Sequence, residues 1–226
     1  MNTQDIIVTL ALSAPGFLTA IVFHEWAHAF CAKKFGDDTA EKMGRLTLNP
    51  TAHYDLFGTI IFPLICVSLG ATAIGWAKPV PIDTRNFKQY KKGVFWVSFA
   101  GPLSNIVLAF LGSFFQVFLL LKVPDWEYTA ILSKMLSYLI MINVVIGVFN
   151  LIPLPPLDGS RMLTPFLSYN ATIRYQRVAQ YTPFIFLGIM ALSFVGIHVL
   201  SFIFLPAYWL VDQLRFLFFQ LLQLIG

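Results

Sequence analysis

Between Ile6 and Cys31 the chain is almost continuously apolar, and the run is broken only by His24, Glu25 and His28. A helix needs about 20 largely apolar residues to cross a bilayer core of about 30 Å, so this stretch can span a membrane. Similar runs follow at Phe57–Ile74, Val94–Leu121, Thr129–Leu154 and Phe184–Leu205. Pro63 interrupts the second run and Gly101-Pro102 the third. The remainder, from Pro206, carries Asp212, Gln213, Arg215, Gln220 and Gln223, and reads either as a short sixth span or as an amphipathic helix in the interface. In lipid every backbone polar group must be satisfied internally. The pattern therefore predicts an all-α polytopic membrane protein with five to six membrane segments. The connections are too short to form a soluble module, so residues 1–226 are expected to make one membrane-embedded domain.

Composition agrees. The chain is 58% hydrophobic and 12% charged, with 23 phenylalanines and a mean hydropathy of +0.74. A soluble domain is nearer half apolar and a quarter charged, so the excess apolar surface requires the lipid bilayer as a partner. The net charge of +4 does not point to nucleic acid, because in such a chain Lys and Arg mark the cytoplasmic segments. Cys31 and Cys66 both lie in apolar runs and read as small packing residues. Residues Met1–Asp5 lack a basic n-region, so the first run is expected to be retained.

Polar residues inside the first run need an explanation, since a charged group at the bilayer centre costs from about 2.5 to more than 10 kcal/mol. Phe23-His24-Glu25-Trp26-Ala27-His28-Ala29 contains the H-E-x-x-H pattern. Residues four apart share a helical face, so His24 and His28 can offer nitrogens to one cation. Glu25 stands beside them, free to act as a base. Two fixed ligands, a base and an open position are what a zinc hydrolase requires. A third ligand is still needed, and Asn150-Leu151-Ile152-Pro153-Leu154-Pro155-Pro156-Leu157-Asp158-Gly159 contains a candidate. Three prolines in four residues cannot continue a helix, and unwound backbone at membrane depth must be buried in protein or face a cavity. Asp158 follows this break. It suits a carboxylate ligand, or alternatively the cap of the next helix.

Taken together, HEWAHAF and NLIPLPPLDG resemble the two signatures of the site-2 protease family of intramembrane zinc metallopeptidases. Gly44-Arg45-Leu46-Thr47-Leu48-Asn49-Pro50, Gly75-Trp76-Ala77-Lys78-Pro79-Val80-Pro81 and Ala100-Gly101-Pro102-Leu103-Ser104-Asn105 match as well. The likeness covers roughly residues 15 to 180 and is nearest to the compact prokaryotic branch, without PDZ or nucleotide-binding modules. It implies a three-helix catalytic core, one Zn2+ held by His24, His28 and Asp158, and cleavage within substrate transmembrane segments. It also implies that Asn150 assists the substrate or transition state, with capping of the broken helix as the competing role. Relatives trim anti-sigma factors or remnant signal peptides, and nothing in the sequence selects between them. A metal transporter or scaffold is the rival function, although neither needs a glutamate set between two histidine ligands.

If Asp158 meets the histidines, the third span must run away from them and the fourth must return. Residues 76–93 then share a side with residues 32–56, and Phe57–Ile74 must be re-entrant, turning near Pro63 or Gly70. Lys33, Lys34, Lys42 and Arg45, then Lys78, Arg85, Lys88, Lys91 and Lys92, then Arg161, Arg174 and Arg177 all fall on that side. These are twelve of the fifteen basic residues, which places the site toward the cytoplasm, and the resemblance implies that the membrane is a prokaryotic inner membrane. A short β element near 75–82 is expected to hold an extended substrate by edge pairing, with Gly75 and Trp76 as contacts. The alternative is an interfacial loop. His53 reads as a solvated or hydrogen-bonded loop histidine with a lesser claim to the site, and His198 as a helix contact. Ser104 and Asn105 are expected to bond between helices, with Asn105 also able to face the cavity.

Overall fold

The computed structural model describes residues 3–68, 75–182, 184–185, 188–189, 192 and 199–225. Most of the expected fifth span, the Gly70 turn and His198 lie outside the described residues. Helix α1 (Thr3–Phe35) continues past the apolar run into Lys33 and Lys34, which favour the negative end of the helix dipole. Gly36 ends it at φ +110°, a conformation that L side chains rarely adopt. The Gly36 N–H donates to Lys33 O at 3.1 Å and the Asp37 N–H to Ala32 O at 3.0 Å, the paired bonds of a glycine helix stop.

Short elements follow: α2 (Thr39–Lys42), α3 (Pro50–His53), and a π-helical turn (Leu56–Ile61) that leads into α4 (Phe62–Ser68). The stretch Leu56–Ser68 is a short apolar helix, only about 20 Å long at about 1.5 Å per residue. Trp76 N–H donates to Gly58 O at 3.1 Å, so the chain on either side of α4 is held together. The expected β element is not formed. Among the described residues there is no strand, and residues 75–83 run as irregular chain up to a 3-10 turn at Thr84–Asn86. Its alternate groups are taken by helices and turns instead: Lys78 N–H donates to His53 O at 2.9 Å, and the Thr59 hydroxyl donates to Trp76 O at 3.1 Å. A ladder needs a second extended chain alongside, and this segment has none.

Helices α5 (Tyr90–Lys122) and α6 (Thr129–Asn150) form an antiparallel hairpin. The Asn105 side-chain amide donates to Asn143 Oδ1 at 2.9 Å, and the Gln116 amide to Ser137 Oγ at 2.6 Å. α1 lies against both: Phe17, Ala20 and Ile21 pack with Ile142, while Ala32 packs with Phe87, Val94 and Val97. Cys31 borders that second cluster, as a packing residue does. α1, α5 and α6 are the three described helices long and apolar enough to cross a membrane, and together they make a three-helix core. The chain closes with α7 (Asp158–Leu163), α8 (Tyr169–Gln176) and α9 (Val199–Ile225). α9 does not lie apart from the bundle. Ala207 and Val211 join Ala109, Ile140 and Val144, and Phe218 and Leu222 join Val117, so α9 runs parallel to α5 in a groove of the hairpin.

One buried acid ties the end of α1 to the extended segment. Asp37, 1% exposed, accepts from the Thr39 N–H at 3.2 Å, the Asp83 N–H at 2.8 Å and the Asn86 side chain at 2.9 Å. Burial opposes its ionisation, but the hydrogen bonds from Thr39, Asn86 and Asp83 outweigh it and hold the carboxyl below the usual carboxylate range. Its stabilisation is therefore complete above that range and lost as pH falls through the lowered value. Asp37→Ala leaves several donors buried without an acceptor. We expect a loss of about 2 kcal/mol or more, read as a lower midpoint of thermal unfolding in detergent.

Candidate metal centre

His24 and His28 stand one turn apart on the inner face of α1, and both are buried. Their Nε2 atoms approach to 3.1 Å. Asp158 Oδ2 lies 3.1 Å from the first and 3.2 Å from the second. The carboxylate arrives there because the chain leaves α6 through the proline-rich stretch and restarts at Asp158, the first residue of α7. Of the two sequence readings of Asp158, the cap is not made: Leu157 occupies the N-cap position, and the Asp158 side chain turns to the histidines. The broken stretch leaves carbonyls without helical partners. The Tyr175 hydroxyl donates to Pro153 O at 2.7 Å, and the Thr182 hydroxyl donates to Pro155 O.

The outer ring nitrogens decide what the inner ones can do. His24 Nδ1 lies 2.7 Å from Asn105 Oδ1. The Asn105 amide nitrogen is committed to Ala20 O at 3.0 Å and to Asn143 Oδ1, so its oxygen is the end that faces the imidazole. His28 Nδ1 lies 2.6 Å from the carbonyl of Val97. Both partners are acceptors, so Nδ1 of each ring is the donor to them and Nε2 is the atom left to ligate. Two imidazole nitrogens and a carboxylate oxygen then converge inside an apolar bundle, where they can share one cation. Donor separations of 3.1–3.2 Å are close to the edge of about 3.3 Å expected for tetrahedral bonds of about 2.0–2.1 Å. The trio fits zinc, and among the described residues it is the group of this kind that can hold a metal ion.

α5 must come very close for this to work. A Cβ on Gly101 would lie 2.4 Å from His28 Nε2 and 2.7 Å from His24 Nε2, so only glycine leaves room for the donors. Pro102 breaks the helical ladder one residue further on, beside the turn that presents Val97.

Glu25, half-buried, does not touch the trio by hydrogen bonding. Its Oε2 accepts the Val80 N–H at 2.7 Å, which ties the carboxylate to the extended segment. That segment is braced from behind. Arg45 donates to Lys78 O at 2.7 Å and to Pro79 O at 3.3 Å, His53 O takes the Lys78 N–H, and Asp37 holds Asp83.

The remaining sequence expectations divide. Asn105 bonds between helices and also reaches the site, whereas Ser104 bonds within its own helix, to Gly101 O at 2.7 Å. Of the two readings of His53, the structure shows the hydrogen-bonded one, with the residue fully buried. Its Nε2 meets Thr47 O at 2.8 Å, and it is not part of the donor trio. Asn150 donates to Ile146 O at 3.0 Å, one turn back on its own helix. Gly75 lies against Gly58 O, Phe17 and Pro63, and Trp76 is half exposed beside Phe62. Asn143, the Val97 carbonyl and Asp37 were not singled out from sequence, and Gly101 and Arg45 were named there without a role at the site. Asn143 is a polar residue inside an apolar span, which is a readable signal, but a backbone carbonyl carries none.

Asn105→Ala removes the acceptor that orients His24, and loss of such an outer partner costs about 10–100-fold in metal affinity. We expect zinc retention against a chelator to fall by that factor, and Gly101→Ala to lower zinc content more severely, both read by elemental analysis of purified protein.

With this geometry in hand, comparison with known proteins is informative. Residues 13–124 and 122–193 match the model of peptidase family M50. The chain is 41% identical over 187 residues to the Bacillus subtilis protein named "Putative zinc metalloprotease YwhC", covering 81% of each. It is 34% identical over 155 residues to "Putative zinc metalloprotease Rip2" of Mycolicibacterium smegmatis, covering 68% of this chain and 56% of that one. "Putative zinc metalloprotease MJ0611" of Methanocaldococcus jannaschii is 28% identical over 172 residues, covering 74% of this chain and 76% of the relative. No solved structure matches. The protein, with its three apolar helices and its zinc-fitting donors, belongs to peptidase family M50, the site-2 protease family of membrane metalloproteases.

Proposed function

We propose that this protein is an intramembrane zinc metalloprotease that hydrolyses peptide bonds within or near the transmembrane helices of other membrane proteins. His24, His28 and Asp158 hold the zinc and Glu25 is the general base. The observation that carries this reading is the convergence of three bare donor atoms within 3.2 Å of one another, beside a glutamate and inside an apolar bundle. A transporter site does not call for that glutamate.

Zinc bound by the trio supplies a Lewis acid that acidifies water and polarises a carbonyl. The protein does the rest. Asn105 and Val97 keep the two imidazoles in the tautomer that presents Nε2. Glu25 takes the proton of the attacking water at its carboxylate and returns it to the departing amine. The Val80 N–H fixes the rotamer of Glu25 and leaves its second oxygen for that task. The apolar walls of α1, α5 and α6 limit bulk water.

The substrate must unwind before its peptide groups can be reached. The extended segment offers a docking edge. The peptide groups of Trp76, Lys78 and Val80 turn inward to Gly58, His53 and Glu25. Backbone groups alternate in an extended chain, so Gly75 and Ala77 face the other way. Pro79 and Pro81 add no donors. A substrate strand laid along Gly75, Trp76 and Ala77 lies next to Glu25, and Asn150 approaches it from the end of α6. Residues 57–74 form a re-entrant segment in this reading, since Gly58 and Trp76 are neighbours. The basic connections then lie together on the cytoplasmic side of a prokaryotic inner membrane, and residues 1–226 act as one domain.

Glu25→Gln should leave zinc stoichiometry at the wild-type level while cutting hydrolysis of a reconstituted membrane substrate by about 10²–10⁴-fold. Cleavage retained in the zinc-loaded variant refutes the mechanism. Cysteines introduced at Lys34 and Lys91 should label from the same face of sealed vesicles. Labelling from opposite faces refutes the re-entrant reading.

A further inference from the structure

A second polar cluster lies far from the metal centre, between α5, α6 and α9. Arg215 shares its face of α9 with Val211, Phe218 and Leu222, the residues that bury this helix against its neighbours. The guanidinium is therefore aimed at the bundle and not away from it. Its Nε donates to Gln116 Oε1 at 3.0 Å, and one terminal nitrogen donates to Ser137 Oγ at 3.3 Å. Gln116, 4% exposed, is itself held by its amide nitrogen, which donates to Ser133 O at 2.8 Å and to Ser137 Oγ at 2.6 Å. The amide oxygen is thereby turned to Arg215. Every partner is neutral.

Arginine carries five N–H donors and a fixed charge. Two donors are used here, and among the described residues no carboxylate lies within ion-pair distance of Arg215. In front of the guanidinium a groove of about 530 Å³ opens, walled by Leu120, Leu121, Phe216 and Phe219. Gln116 stands six residues, roughly 9 Å of helix, before Lys122. Beyond Lys122 come Trp126 and Tyr128, both about half exposed, in the position of an interfacial aromatic belt. The cluster thus sits where hydrocarbon gives way to head groups, in the leaflet away from the metal centre. Along α5 it is roughly 22 Å from Gly101, too far to bind the peptide bond being cut.

An unpaired fork of N–H donors at that depth, with apolar walls beside it, matches one kind of ligand. We propose that this groove binds an anionic phospholipid of that leaflet. Arg215 pairs with the phosphodiester, Gln116 and Ser137 fix the plane of the guanidinium, and an acyl chain lies against Leu120, Leu121, Phe216 and Phe219. Bidentate arginine–phosphate pairing supplies the recognition, and basic pockets between membrane helices bind lipid head groups in this way.

The test uses the 226-residue chain, zinc-loaded, delipidated in detergent and titrated with dioleoylphosphatidylglycerol or dioleoylphosphatidylcholine, with bound lipid counted by native mass spectrometry. The wild type should retain its first phosphatidylglycerol about tenfold more tightly than phosphatidylcholine, the scale of one charge-assisted contact. Arg215→Leu should bring the two lipids within about twofold of each other, and Leu120→Trp should fill the groove and weaken retention while leaving the charge in place. Zinc content and thermal midpoint report whether each variant is folded. The wild-type comparison needs no variant. Equal retention of both lipids by the wild type, or an undiminished preference in a folded Arg215→Leu protein, overturns the proposal. Thermal protection by inorganic phosphate equal to that by phosphatidylglycerol also overturns it, because the cluster is then a small-anion site.

Discussion

Three lone-pair donors face one another at the centre of an apolar bundle, and most of this structure can be understood as the means of holding them there. Two imidazole nitrogens and a carboxylate oxygen within about 3.2 Å of one another need a shared partner in an apolar bundle that provides no water. A divalent cation bound by all three supplies it. The rest follows from bringing the donors together. α1 supplies two of them one turn apart. The α5–α6 hairpin leads the chain away and back, so that Asp158 reaches the same level. Gly101 lets α5 pass within contact distance of both rings. Asn105 and Val97 set the tautomers from outside.

The same economy of polar groups runs through the membrane region. Asn105 is matched by Asn143, and Gln116 by Ser133 and Ser137. Each pair crosses the α5–α6 contact, where an unpaired amide would be costly. Such pairs fix the register of the two helices more narrowly than leucines and phenylalanines could, because a hydrogen bond tolerates a smaller shift than an apolar contact. Arg215 departs from this rule, since its neutral partners orient its charge without compensating it.

Glu25 belongs to a different mechanical unit. It is carried by α1, but its carboxylate is held by the segment around Val80, which is braced in turn by Arg45, His53 and Asp37. The position of this carboxylate is thus coupled to connections that lie outside the apolar helices. Those connections contain buried polar residues, and they are part of the site and not mere links between spans.

Much of this was legible in the chain. Apolar runs interrupted by a histidine pair at helical spacing point to a membrane helix whose polar face needs a partner, either a cation or the groups of neighbouring helices. Three prolines before Asp158 require a broken helix, because proline lacks the N–H that a helix needs. The parallel return of α6 beside α1 followed from asking that Asp158 meet His24 and His28. The β element expected near 75–82, with an interfacial loop as its alternative, is not formed: a strand exists only if another extended chain lies beside it, and here helices and turns took its hydrogen bonds instead. His53 read as either solvated or hydrogen-bonded, and what decided between the two was the packing over its loop, which is tertiary. The sequence by itself determined which residues must leave water and which must find a charge partner, for these are properties of side chains and local backbone. Only the tertiary structure decided which carbonyl orients His28, which glycine admits α5, and which amide holds Glu25. Those contacts join groups far apart in the chain, and backbone carbonyls and amides are the same at every residue except proline.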